Sequence, residues 1–154
     1  MISTIILLVE CVSTFLIWTL VLYLIHRISH NVKFFKSLHY DHHIFVSRNK
    51  STSWKWHDLL LYNDTPKSTL DMWITEVIPT LCISMITGHW WIAVIYYIWA
   101  AFFQQNLEHN SAHNWYPFTS GKWHLIHHKD PSKNFGLFFP IWDKIFKTEK
   151  GIIK

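Results

Sequence analysis

Residues 26–43 read HRISHNVKFFKSLHYDHH, which places five imidazoles in eighteen residues, as an H-x-x-x-H pair followed by an H-x-x-H-H triplet. The chain uses this grammar twice. Residues 109–128, HNSAHNWYPFTSGKWHLIHH, again give the pair and then the triplet, so ten of the 12 histidines fall in four boxes. On a helix, positions i and i+4, or i, i+3 and i+4, lie on one face, so each box aims its rings at a single point. A lone histidine is most simply a satisfied polar residue, and His57 and His89, outside the boxes, are read that way. Two triplets, each preceded by a pair, are too regular to be an accident of a histidine-rich chain.

Ahead of the first block, residues 2–25 are almost wholly apolar, with Glu10 as the only charge. As a helix they span about 36 Å, enough to cross a hydrocarbon core of about 30 Å. His26 and Arg27 follow directly, without the basic start or small-residue cleavage site of a signal peptide, so a retained anchor helix is expected. Glu10 reads as an interfacial or helix-facing acid and is given no role. From residue 26 to 71 the chain is polar, with basic residues interleaved with Trp54, Trp56 and Tyr62, the mixture of a segment lying against a membrane surface. Asn63-Asp64-Thr65-Pro66 is a turn signal, and Ser68-x-x-Asp71 resembles a capping box that would start a helix near Leu70. Residues 72–87 and 91–107 are apolar stretches separated by Gly88-His89-Trp90. They predict a hairpin of two thin spans or a re-entrant pair, kinked at Pro79. The aromatic run 90–103 reads as lipid-facing and packing surface.

The 154 residues amount to one domain. Half are hydrophobic, 18% aromatic and only 16% charged, gathered in blocks too long for a soluble core. The expected fold is therefore an all-α integral membrane protein with about three transmembrane or re-entrant helices and a cytoplasmic histidine-box helical cap. Within a single domain 1–154, the divisions are a span at 2–25, the first histidine block and interfacial segment at 26–71, a membrane hairpin at 72–107, and the second histidine block with its tail at 108–154. Cys11 and Cys82 lack a C-x-x-C or zinc-like spacing and read as small core residues. The net charge of +4 comes with no nucleic-acid module, so no nucleic-acid partner is expected. All 14 Lys and Arg lie in residues 26–71 or after 108. The positive-inside rule then puts both histidine blocks in the cytoplasm, with the N-terminus and the 88–90 turn opposite. The membrane would be the endoplasmic reticulum in a eukaryote or the cytoplasmic membrane in a bacterium.

Neutral imidazole suits iron, zinc, copper or nickel, and no clustered cysteine, E-x-x-H pair or H-E-x-x-H motif points elsewhere. Ten ligands exceed one ion, and two tetrahedral structural zincs would use eight. Two ions, each with about five imidazoles and a position open for oxygen or water, fit the count best. The candidate ligands are His26, His30, His39, His42, His43, His109, His113, His124, His127 and His128. Iron is preferred on reactivity, with zinc able to replace it in a purified protein. Asp41 and Asp130, beside the triplets, are candidates to orient imidazole N–H groups; Asn106, Glu108, Asn110 and Asn114 are weaker ones that could equally cap a helix end. Two other classes remain in view. A histidine-rich metal buffer or transporter would favour flexible tracts over helical spacing. A metal-water hydrolase would need a carboxylate base built into the boxes.

The boxes resemble those of the membrane-bound fatty acid hydroxylase and sterol desaturase superfamily. His26 and His30 match its first pair, His39, His42 and His43 its first triplet, His109 and His113 its second pair, and His124, His127 and His128 its last triplet. The tail Asn134-Phe135-Gly136, then Trp142-Asp143 and Phe146, is similar to the N-[YF]-G, W-D, F segment that follows the last box. The resemblance implies a non-haem di-iron centre that uses molecular oxygen to oxidise a C–H bond of a membrane lipid. A fatty acyl chain, a sterol, a sphingoid lipid and a carotenoid all suit the apolar surface. Hydroxylation ranks ahead of desaturation because it needs one aligned C–H bond where desaturation needs two held in order. No fused electron-donor domain fits in 154 residues, so a separate carrier of the cytochrome b5, ferredoxin or other reductase type is the expected partner.

Overall fold

The computed structural model describes residues 2–49, 53–114 and 117–151. Helix α1 runs from Ile2 to Ser29. It does not stop at the end of the apolar run, because the i, i+4 pair His26 and His30 needs another turn to face inwards. A short turn reverses the chain into α2, Lys33–Asn49, which carries the first triplet. A 3-10 turn at Trp56–Leu60 follows, and then the long helix α3, Pro66–Thr87.

Helix α3 starts earlier than the sequence predicts. Thr65, not Ser68, is its cap: the Thr65 hydroxyl accepts from the Ser68 N–H at 3.0 Å, and Pro66 occupies the first turn, where its missing N–H costs nothing. Asp71 is thereby freed from capping. Pro79 can donate nothing to the carbonyl four residues back, and the widened π turn Trp73–Val77 sits just ahead of it, with the Ile78 N–H reaching the Trp73 carbonyl instead. Gly88 ends the helix at φ +73°, the left-handed value that a glycine adopts without strain.

The return limb α4, 91–108, is α-helical over Trp91–Ile98 and π-helical over Trp99–Glu108. Two helices, Ser3–Ser29 and Pro66–Thr87, are long and apolar enough to cross a membrane; α4 runs back from the Gly88 turn to the histidine end of the bundle. Its function in the fold is to bring His109 back to α2. The chain closes with α5, Lys122–Lys129, carrying the last triplet, and the short α6, Ile141–Ile145. The described residues contain no strand, and the architecture is all-α, as the composition predicts.

The core lies where α1, α3 and α4 meet, around Trp18, Leu22, Met72, Val77, Ile92, Tyr96 and Ala100. Trp18 also donates its indole N–H to the Thr80 hydroxyl at 2.9 Å, which fixes α1 against α3. Away from this core the helices present bare aliphatic side chains: Ile5 to Val9 on α1, and Ile86, which is 84% exposed, on α3. In water that surface would favour association, whereas in lipid it is ordinary. The protein is an integral membrane protein by these two helices. Cys82 belongs to the exposed surface and not to the core, a correction to the sequence expectation, while Cys11 is half-buried.

Candidate metal centre

Four elements converge at one end of the bundle: the last turn of α1, α2, the end of α4 and α5. Their helical spacing turns the histidines inwards, and the nitrogens assemble into two groups. The first comprises His26, His30, His39 and His127, the second His42, His109, His124 and His128, and within each group the ligand atoms lie within 4.8 Å of one another. Each group thus draws on both histidine blocks.

In the first group, Nε2 of His26 is 3.2 Å from Nε2 of His39 and 3.0 Å from that of His127, and Nε2 of His30 is 3.0 Å from Nε2 of His127. These are not hydrogen bonds between rings. The Nδ1 of His26 is 2.8 Å from the Phe135 carbonyl, and that of His127 is 2.7 Å from the Lys133 carbonyl. A carbonyl only accepts, so Nδ1 carries the proton in both rings. A neutral imidazole has one N–H, which leaves the two Nε2 atoms as lone pairs facing each other. The Nδ1 of His39 likewise faces the Asp71 carboxylate at 2.7 Å. Lone pairs held this close could share a cation. Imidazole nitrogens about 2.1 Å from an ion and at right angles to one another would lie about 3.0 Å apart, which is the spacing found.

The second group repeats the pattern, with Nε2 atoms 3.2 Å apart in His42 and His109 and 2.9 Å apart in His124 and His128. His43 lies between the groups: its Nε2 is 3.1 Å from that of His39, and its ring stacks on His128 at 4.2 Å between centroids. Burial, reinforced by neighbouring imidazoles, pushes His39, His124, His127 and His128 well below the usual histidine value, and burial pushes His42 down to about 4. All five are neutral at pH 7, the form that binds a metal.

Of the ten histidines picked out by the boxes, eight enter the two groups and His43 joins them at the boundary. His113 does not. It is half-buried in the turn after α4, and its backbone takes part in that turn, accepting from Lys122 N–H and donating to the Asn110 carbonyl. His57 packs against Tyr62 and His89 against Trp91, outside both groups.

The carboxylates differ from expectation. Asp41 accepts from the hydroxyls of Thr65 and Ser68, where it ties α2 to the start of α3. Asp130 accepts from Lys150 at 2.8 Å and from Ser132 at 2.7 Å, at the surface. Adjacency in sequence misled here, since the residue beside a ligand on a helix points elsewhere. The acid that orients an imidazole is Asp71, 32 positions from His39. In the second group the buried Glu108 carboxylate approaches Nδ1 of His124 to 4.0 Å, beyond hydrogen-bond distance. The available signal was acids placed in or beside apolar helical runs, where an uncompensated carboxylate is costly.

The C-terminal tail explains its own motif. Asn134 sits at φ +55°, and its side chain donates to the carbonyls of Trp123 and Lys150. Asp143, fully buried, accepts from the N–H groups of Phe135 and Gly136 and from the Thr148 hydroxyl. A Cβ at Gly136 would lie 2.7 Å from the Phe139 carbonyl and 2.9 Å from the Asp143 carboxylate, so only glycine fits. This frame holds the Phe135 carbonyl where His26 needs it.

No curated protein and no solved structure matches the chain. The family model described as fatty acid hydroxylase does match, over residues 11–148, a span that takes in all four boxes and the tail frame. The chain belongs to the fatty acid hydroxylase family.

Proposed function

We propose that the protein hydroxylates a C–H bond of a membrane lipid with molecular oxygen, at two iron ions held by the two histidine groups. The observation that carries this reading is the pair of four-imidazole clusters, with Nε2 lone pairs facing one another in the first. Iron bound there supplies oxygen activation: the C–H bond, one O2, two electrons and two protons give an alcohol and one water. The chain's own residues do the rest. Phe135, Lys133 and Asp71 fix which ring nitrogen is free, and burial keeps the imidazoles neutral and water sparse. The basic residues flanking both blocks support a cytoplasmic centre by the positive-inside rule. Electrons come from a separate cytosolic carrier of the cytochrome b5, ferredoxin or reductase type.

Comparative lipid mass spectrometry of cells with and without the gene tests the reading, run under labelled oxygen gas. One lipid species should gain sixteen mass units in unlabelled gas, with its added oxygen drawn from the gas. An unlabelled alkene lacking two hydrogens would identify a desaturase instead, and no change in any lipid would overturn both.

A further inference from the structure

Two cavities of opposite character meet at one side chain. Under the metal groups lies a polar pocket of about 20 Å³, room for about one water, lined by His39, His42, His124, Glu76, Glu108 and Leu137 among others. Beside it, between α1, α4 and the tail, runs a groove of about 310 Å³ walled by Phe15, Trp18, Ile98, Trp99, Phe138 and again Leu137. Among the described residues Leu137 alone lines both.

We propose that the groove holds one unbranched acyl chain and that Leu137 is the threshold setting which carbon of that chain reaches the metal pocket; this rests on the proposed lipid oxidation. The groove's wall is aromatic and aliphatic except for Thr119 and Ser120, and it is built from the helices whose outer faces meet lipid. A groove of this size with so apolar a wall suits a hydrocarbon chain and offers almost nothing to a polar group.

Leu137 is also held in register with the metal site. Two residues before it, the Phe135 carbonyl faces Nδ1 of His26 at 2.8 Å. Immediately before it, the Gly136 N–H is bound by Asp143 at 2.9 Å, and immediately after it the Phe138 carbonyl accepts from the Thr119 N–H at 3.1 Å. The side chain itself packs on the core that contains Trp18 and Met72. A threshold tied on both sides to backbone cannot drift relative to the ligands, so its size, not its mobility, decides how deep a chain reaches.

The test uses metal-loaded protein in lipid nanodiscs and a set of palmitic acids, each bearing one diazirine at a different carbon, with labelled residues mapped by mass spectrometry after photolysis. Wild-type protein should be labelled at Trp18, Trp99 or Phe138 by most of the set, and at Met72 or Thr75, beyond the threshold, by only a narrow range of diazirine positions. Leu137→Ala should widen that range. Leu137→Trp should abolish labelling at Met72 and Thr75 while sparing Trp99. Labelling confined to lipid-facing residues such as Leu7 and Ile86 would overturn the proposal, as would an unchanged pattern beyond the threshold in Leu137→Ala. This readout needs no turnover. If the chain is labelled in the groove but no lipid is ever oxidised, the functional reading fails and the binding site stands.

Discussion

The two histidine groups are built from the same boxes yet are held differently. In the first, three of four rings have Nδ1 committed: His26 to Phe135, His39 to Asp71 and His127 to Lys133, all at 2.7–2.8 Å. In the second, Nδ1 of His42 and of His128 is buried without a hydrogen bond, and the Glu108 carboxylate stands 4.0 Å from that of His124. Outer partners fix the tautomer and orientation of a ligand, so the first group is the more preorganised at these rings. Two ions held this way would differ, one anchored and one more labile.

The largest expected effect comes from removing a ligand of the anchored group. His127→Ala leaves three imidazoles around the first position and should cut metal content by at least one ion per chain, with activity lost by about 100-fold or more. His57→Ala, outside both groups, should leave both unchanged. Metal analysis of the purified variants decides it; equal losses in the two would mean that the clusters are not the binding sites.

Removing an orienting acid should cost less and should separate the groups. Asp71→Asn keeps the shape but weakens the hold on the His39 N–H, with metal affinity at the first group expected to fall about 10–100-fold. Glu108→Gln, at 4.0 Å, should cost several-fold less. Equal losses by competitive chelator titration would show that the second group is as firmly oriented as the first once loaded.

These partners show where sequence reading works and where it stops. Box spacing at i, i+3 and i+4 is a property of one helix, so the inward facing of His39, His42 and His43 was legible without knowing any neighbour, but the single point expected of each box was not found: His39 and His127 join the first group, His42, His124 and His128 the second. The long apolar α1 was legible too. The partner of His39 was not, because it depends on how α2 packs on α3, and the visible acids Asp41 and Asp130 were simply the nearest in the chain. His113 shows the reverse failure. Its i, i+4 spacing from His109 promised a shared face, but α4 ends at Glu108, and beyond that point helical geometry no longer places side chains. The tail motif was recognisable as a pattern, while its physical role, a buried Asp143 holding the peptides of Phe135 and Gly136, required the fold.

Acid should sharpen the difference between the groups. His42 is pushed down to about 4 by burial against an ordinary value of 6.5. Between those values the unfolded chain takes up a proton that the folded chain refuses, so the metal-free fold is most stable above pH 6.5 and loses stability as pH falls towards 4. Proton competition for the ligands acts in the same direction. The melting temperature of chelated protein should therefore fall from pH 7.5 to pH 5. In loaded protein, one ion per chain should leave before the other over that range. A melting temperature independent of pH would mean that the histidines take up protons in the fold as readily as in the unfolded chain, and simultaneous loss of both ions would erase the distinction between the two positions.

The smallest effect is expected at the acid closest in sequence to the last box. Asp130 follows His127 and His128 by three and two positions, yet its carboxylate faces Ser132 and Lys150 at the surface, and the Lys150 contact holds it down at about 2. A solvent-exposed pair of this kind contributes little to stability and loses what it has to salt. The Nδ1 of His127 is already taken by the Lys133 carbonyl, and the Asp130 carboxylate is bonded to Ser132 and Lys150 instead of to a ring of the last box. Asp130→Asn should therefore leave metal affinity at both groups and the melting temperature near wild type, while Asp71→Asn lowers the first. A clear drop in metal affinity in Asp130→Asn would mean that the 129–133 turn rearranges on loading, exchanging the Lys133 carbonyl for a carboxylate, and that the first group is less preorganised than its three committed rings indicate.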